Sequence, residues 1–194
     1  MLASASPQRR EILSSAGVSF EVAPTGVEEA VEGEPAWVAL ENARRKARAG
    51  LLHHPEPGAV VLAADTVVAL DGEILDKPAG AAQARESITA LAGRTHEVSG
   101  GIVLAGPGDQ WREASRVSRV TFRPLTATEV EAYVATGEWE GRAGGYAIQL
   151  SGSALVESLE GEEENVIGLS REALAGLVQG LVPSGGEAGD RYNP

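Results

Sequence analysis

Ala59-Val60-Val61-Leu62-Ala63-Ala64-Asp65-Thr66-Val67-Val68-Ala69-Leu70-Asp71-Gly72-Glu73-Ile74-Leu75 decides how this chain reads. The unbroken apolar run over 59–64 is the mark of a buried strand, and Asp65 reads as its polar tip. Residues 67–70 and 73–75 then flank Asp71-Gly72, a pair suited to the left-handed turn of a tight hairpin. Upstream, a long helix is expected from near Pro35 to Leu51, carrying Trp37, Leu40, Ala43 and Ala47, with Arg44, Arg45, Lys46 and Arg48 as its cations. A first helix opens with Ser6 as N-cap and Pro7 behind it, carries Ile12, Leu13 and Ala16 on one face, and stops at Gly17. Residues 18–22 alternate like a short strand, and Gly26-Val27-Glu28-Glu29 reads as an acidic loop.

Downstream, a helix is expected over 81–91, ending at Gly93. Two long β segments, 97–104 and 114–122, are joined through Gly106-Pro107-Gly108-Asp109. Thr126-Ala127-Thr128-Glu129 forms a capping box ahead of Val130, Tyr133 and Val134. A further β region is expected over 146–155, and a last helix presents Leu174, Leu177, Val178 and Leu181. This order gives a mixed α/β fold instead of a regular doubly wound one. Residues 1–183 read as one domain, and 184–194, which follow Pro183 without apolar periodicity, as a disordered tail.

The chain has 194 residues, 43% hydrophobic and 23% charged, the mix of one soluble domain or two merged lobes. With no cysteine, thiol catalysis, disulfides and thiolate metal sites are excluded. The net charge of −12 argues against a nucleic-acid partner, which would need many phosphate contacts from Lys and Arg. A single polyphosphate needs only a few converging cations and a metal, so it stays compatible with that charge. No apolar run approaches the ~20 residues of a membrane span and no signal peptide is visible, so a cytoplasmic location without membrane contact is expected.

Four stretches could carry chemistry. Ser4-Ala5-Ser6-Pro7-Gln8-Arg9-Arg10 places two arginines at a helix N-terminus, which is a ready anion site or else a capped helix with two solvated arginines. Asp65-Thr66 lies where α/β proteins place ligand groups, although an aspartate there is more often a cap or turn former. Lys77 returns from the hairpin to the same edge. Glu28 and Glu29 with Lys46 could hold a divalent cation through oxygen ligands, while a solvated charge run explains Arg44, Arg45 and Arg48 equally well. Ala143-Gly144-Gly145-Tyr146-Ala147-Ile148-Gln149 offers close backbone approach and an amide able to read a base edge. His53, His54 and His96 lack metal-pair spacing, no phosphate-loop motif exists, and Glu160, Glu162, Glu163 and Glu164 read as a solvated acidic loop.

Together these stretches resemble the Maf family of nucleoside triphosphate pyrophosphatases, also called septum formation proteins. The resemblance covers residues 2 to about 181 and rests on six short motifs and one acid. These are Leu2-Ala3-Ser4-Ala5-Ser6-Pro7 with Arg9, Glu29, Lys46-Ala47, Ala64-Asp65-Thr66-Val67-Val68, Lys77-Pro78, residues 144–149, and Asn165-Val166-Ile167-Gly168-Leu169. It implies an elongated fold like that of inosine triphosphate pyrophosphatases, with a mixed sheet, flanking helices, a deep cleft between two lobes, and a homodimer as a common assembly. It also implies hydrolysis between the α and β phosphates with a divalent metal, Mg²⁺ or Mn²⁺. Asp65 would accept the proton and join Glu29 at the metal. Ser4, Arg9, Lys46 and Lys77 would bind phosphates, and Gln8, Thr66 and Gln149 would face the base. Asp65-Thr66 matches the dTTP and UTP branch, where a 7-methylguanosine triphosphate branch usually shows Asp-Gln. A pyrophosphatase of other nucleotides and a non-catalytic nucleotide-binding regulator of division are the alternatives. Gln8 stands where that branch usually has Arg, Arg142 replaces Lys, Gly161-Glu162-Glu163 replaces Gly-Ser-Tyr, and Ser170 replaces Pro. With only Leu2 and Ala3 before the first motif, a clipped first strand is expected.

Overall fold

The computed structural model describes residues 1–53, 58–106 and 110–179. The expected N-terminal helices form as α1 (Pro7–Ser15) and α2 (Pro35–His53). Ser6 caps α1, its hydroxyl accepting the Arg9 backbone N–H at 3.4 Å. The hairpin also forms: β1 (Val61–Leu70) turns through Asp71 and Gly72, at φ 53° and 83°, into β2 (Glu73–Leu75), with Leu70 opposite Glu73. Next come α3 (Ala81–Leu91), β3 (Thr95–Ala105), β4 (Trp111–Phe122) and α4 (Ala127–Val134), whose capping box between Thr126 and Glu129 is complete. The described residues end with β5 (Val156–Glu160), α5 (Glu163–Ile167) and α6 (Arg171–Gln179). One antiparallel sheet of order β2-β1-β3-β4-β5 carries the helices, a mixed α/β architecture.

Asp65 is not the tip of a strand. β1 runs straight through it, with Asp65 opposite Gly101 and Thr66 opposite Gly100 on β3. The two glycines explain how a polar pair fits inside a buried ladder. A Cβ on Gly101 would overlap the Ala39 carbonyl and Leu40 Cα of α2, and one on Gly100 would overlap the Asn165 side chain. Helix backbone and a buried amide therefore approach the sheet where larger residues would hold them off.

The core divides at the same level. Leu62 and Ala64 pack with Ile12, Leu13 and Leu169, while Val68 and Leu70 pack with Ile88, Phe122, Val130 and Tyr146. On the opposite face of β1, Val61 and Ala63 pack with Ala43 and Ala47, and Val67 packs with Val38. Strand alternation thus puts Asp65 toward α2 and Thr66 toward the gap between two apolar clusters.

Other expectations need correction. Residues 18–22 form no strand: Leu2 bridges Val22 and Leu62, Phe20 packs against the core, and Val18 and Val22 stay exposed on either side of it. The expected strand over 146–155 is irregular, with a turn over 148–150 and a 3₁₀ turn over Ser151–Leu155, and the strand starts only at Val156. The span follows Gly144 and Gly145, at φ 67° and 74°, and Tyr146, Ala147 and Ile148 are buried outside the sheet as their apolarity requires. Nor are residues 162–164 a solvated loop, since Glu163–Ile167 is helical, Glu162 pairs with Arg116 at 3.3 Å and Glu164 with Arg171. Gly106 N–H meets the Gln110 carbonyl at 2.8 Å, while residues 107–109, His54, Leu181 and the expected tail lie outside the described residues. Among the described residues no helix is long and apolar enough to cross a membrane.

Candidate active site

α2 supplies the inner cation. Of its basic run only Lys46 turns inward; Arg44 bonds Glu113 at 2.9 Å, Arg45 reaches the Glu28 carbonyl at 3.1 Å, and Arg48 lies 5.6 Å over the Trp111 ring. Lys46 Nζ lies 2.7 Å from Asp65 Oδ1 and 2.5 Å from Glu29 Oε1, with only 12% of its side chain exposed. Two carboxylates from distant segments thus share one ammonium. Glu28 does not join them: its carbonyl is held by Arg45 and its residue is exposed, so the acid pair read at Glu28 and Glu29 does not form, and Glu29 meets Asp65 instead.

Asp65 is 5% exposed, and its second oxygen accepts from Asn42 Nδ2 at 3.0 Å. Asn42 was not among the residues picked out by sequence. Its signal was an amide four residues before Lys46 inside the apolar stripe Val38, Ala39, Ala43, Ala47, a place where buried polarity needs a reason.

Arg9 does not stand in solvent. Nε donates to the Gly168 carbonyl at 2.9 Å, Nη1 to Ser4 Oγ at 2.9 Å and Nη2 to Thr66 Oγ1 at 3.0 Å. A guanidinium has five N–H donors, so two remain for a ligand. Desolvation holds the Arg9 pKa below its ordinary value, against the opposing pull of Asp65 and Glu29. Arg10, its neighbour, is exposed. Thus α1, β1 and the turn after α5 are tied by one buried cation.

Three cavities meet here. One of about 90 Å³ is lined by Gln8, Arg9, Asp65, Thr66, Tyr146 and Gln149. A second, of about 400 Å³, runs between the α1 N-terminus and the 24–29 segment, past Ser4, Glu29 and Lys46. A third, also about 400 Å³, lies between Asp65, Asn42, Ile74 and Gln83. Lys77, exposed after β2, borders all three. The glycine pair earns its place by close approach: a Cβ on Gly144 would sit 2.8 Å from Val68, and one on Gly145 3.0 Å from Pro78. Every residue expected at the site, Ser4, Gln8, Arg9, Glu29, Lys46, Asp65, Thr66, Lys77 and Gln149, borders this group of cavities.

The Maf-like protein family model matches residues 1–181. The chain belongs to the Maf-like protein family. It is 43% identical over 181 residues to a dTTP/UTP pyrophosphatase of Deinococcus radiodurans, covering 93% of this chain and 91% of that one. A protein of the same name from Gloeobacter violaceus is 43% identical over 92% of this chain and 93% of its own. A solved nucleoside-triphosphatase / dITP/XTP pyrophosphatase from Mycobacterium abscessus aligns with TM-score 0.40 and 20% identity, over 62% of this chain and 71% of that one.

Two positions where this Maf-like protein departs from the motifs are structurally occupied. Glu162 accepts from the Ser170 hydroxyl, and Ser170 in turn caps α6 by accepting the Ala173 N–H at 3.0 Å. Both serve the α5–α6 junction and point no charge at the cavities. Gln8 holds its carbonyl oxygen 2.9 Å from the Ser6 hydroxyl, which keeps its amide nitrogen available at the cavity wall.

Proposed function

We propose that this chain hydrolyses nucleoside triphosphates to the monophosphate and pyrophosphate, with dTTP and UTP as its substrates. The arrangement that carries this reading is Asp65: a buried carboxylate fixed on both oxygens that borders the smallest cavity and the third, and whose partner Lys46 faces the wider, cation-lined one. The smallest cavity is lined by Gln149, Thr66 and Gln8, whose donors and acceptors suit the edge of a base. The wider one, bordered by Ser4, Lys46 and Lys77, suits the triphosphate. The names of the Deinococcus and Gloeobacter relatives support the choice of dTTP and UTP.

Among the described residues no cluster of three metal-ligating side chains exists. Glu29 and Asp65 nonetheless fit a divalent cation, because both already converge on one positive charge, and Mg²⁺ commonly takes one or two carboxylates with substrate phosphates and waters for the rest. Mg²⁺ or Mn²⁺ bound there supplies charge neutralisation and a more acidic water. Asp65 takes the proton as water attacks the α-phosphorus. Lys46 leaves the carboxylates for the phosphates, joining Lys77 and the two spare N–H groups of Arg9 in stabilising the departing pyrophosphate. Gly168, Ser4 and Thr66 hold Arg9 ready for this without reorganisation.

The test is pyrophosphate release from dTTP, UTP, CTP, GTP, ATP and 7-methylguanosine triphosphate, with and without Mg²⁺ or Mn²⁺. Metal-dependent release from dTTP and UTP above the purines is expected. Preference for a purine would overturn the base assignment, and binding without turnover would make the chain a nucleotide sensor.

A further inference from the structure

Asn42 sits midway along α2, 2% exposed, on the face turned to the sheet. An amide buried there costs free energy unless its polar atoms are paired. They are: Oδ1 accepts the Ala30 N–H at 2.7 Å, and Nδ2 donates to the Ala30 carbonyl and to Asp65 Oδ2, both at 3.0 Å. One side chain therefore grips both backbone groups of the residue after Glu29 and one oxygen of Asp65.

The grip matters because few polar ties hold the Glu29 segment, although Ala30 also packs against Val38, Ala39 and Val67. Residues 23–31 form neither helix nor strand. From 24 to 31, the other ties among the described residues are Arg45 to the Glu28 carbonyl and Lys46 to Glu29 itself. Lys46 is a mobile tie, since an ammonium on a flexible stem follows the strongest negative charge, and a triphosphate outcompetes a carboxylate. The amide carries no charge and stays. Once substrate draws Lys46 away, Asn42 is, among the described residues, the side chain whose hydrogen bonds still join Asp65 to the Glu29 segment.

We infer that Asn42 is the positioning residue of this site, setting the separation and orientation of Glu29 and Asp65 while touching neither substrate nor cation. The inference rests on the pyrophosphatase reading. Two variants test it. Asn42→Leu keeps the size and removes all three hydrogen bonds; Asn42→Asp keeps the shape and the acceptor toward Ala30 but loses both donors. Because misplacement by about 1 Å can cost about a hundredfold, kcat for pyrophosphate release at saturating Mg²⁺ is expected to fall tenfold to a hundredfold in both, with KM for the nucleotide within about threefold. The Ala30 amide is expected to lose hydrogen-exchange protection in Asn42→Leu. A lower thermal midpoint with kcat per folded molecule within about twofold of wild type would reduce Asn42 to a structural residue and overturn the inference. Wild-type protein that releases no pyrophosphate from any nucleotide would overturn the functional reading and this one with it, whereas active wild type with unimpaired variants would overturn this one alone.

Discussion

Lys46 is held by Asp65 at 2.7 Å and Glu29 at 2.5 Å, so its removal does two things at once. It takes a cation from the phosphates and leaves two carboxylates facing each other with less compensation. Lys46→Met is expected to lower kcat for pyrophosphate release by about a hundredfold or more, the usual cost of losing one stabilising donor in a dry site. A change under about threefold would take Lys46 out of the reaction.

His96 makes a separate point about single residues. It is 1% exposed, with Nε2 2.8 Å from the Tyr146 hydroxyl and Nδ1 without a partner among the described residues. Its ring meets Phe122 and Tyr146 edge-on at centroid distances of 5.1 and 5.3 Å. A proton on Nε2 leaves only a lone pair unpartnered, which is the cheaper arrangement. Burial pushes the His96 pKa from 6.5 down to about 4. As pH falls below 6.5 the unfolded chain takes up this proton while the folded one does not, so stability drops through the window down to about 4 and then levels. The loss amounts to about 3 kcal/mol. Urea melts between pH 7 and 4 for wild type and His96→Phe measure it, and equal slopes for the two would remove His96 as the source.

At the scale of elements, the site depends on how closely α2 lies on β3. Gly101→Ala is expected to push α2 away, because the added methyl would overlap the Ala39 carbonyl and Leu40 Cα. Overpacking of this kind costs roughly 1–3 kcal/mol and lowers the thermal midpoint by several degrees in a chain of this length. Turnover is expected to fall too, since α2 carries both Asn42 and Lys46. Gly176→Ala on α6, where nothing lies within 4 Å of the new methyl, is the neutral or slightly stabilising control. Retained midpoint and turnover in Gly101→Ala would mean that the close approach is not required.

Elements with local signals could be read before the structure. Asp71-Gly72 fixes its hairpin by conformation alone, Thr126 and Glu129 fix the start of α4 by mutual hydrogen bonds, and Pro7 with Ser6 fixes α1. Elements decided by distant partners could not. β1 passes through Asp65 only because Gly100 and Gly101, some 35 positions on, make room, and no local pattern announces that pairing. Residues 146–155 carry strand-like apolarity, but they follow left-handed Gly144 and Gly145 and bury Tyr146, Ala147 and Ile148 without joining the sheet, ending in a 3₁₀ turn over Ser151–Leu155. Among site residues, charged ones stood out in sequence because charge near an apolar stripe is conspicuous; Asn42, uncharged and inside that stripe, did not.

Across the whole molecule, a net charge of −12 surrounds a cleft where Arg9, Lys46, Lys77 and Arg142 converge. Four of the 16 lysines and arginines thus border the cavities where a polyphosphate would lie, while Glu113, whose carboxyl is held down at about 2 by the Arg44 hydrogen bond, lies away from them. The apolar core splits into clusters above and below Asp65 and Thr66, and the cleft opens in that gap. Fold and site are in this sense one feature, a long strand with a polar pair at its middle.

Hydrolysis of dTTP in ¹⁸O-labelled water, with the products separated by mass, tests the central assignment most directly. Attack on the α-phosphorus by water that gives its proton to Asp65 places the label in the monophosphate, and Asp65→Asn is expected to lose about a hundredfold or more in rate while keeping its thermal midpoint. Label in the pyrophosphate, label in orthophosphate, or undiminished turnover in Asp65→Asn would contradict it.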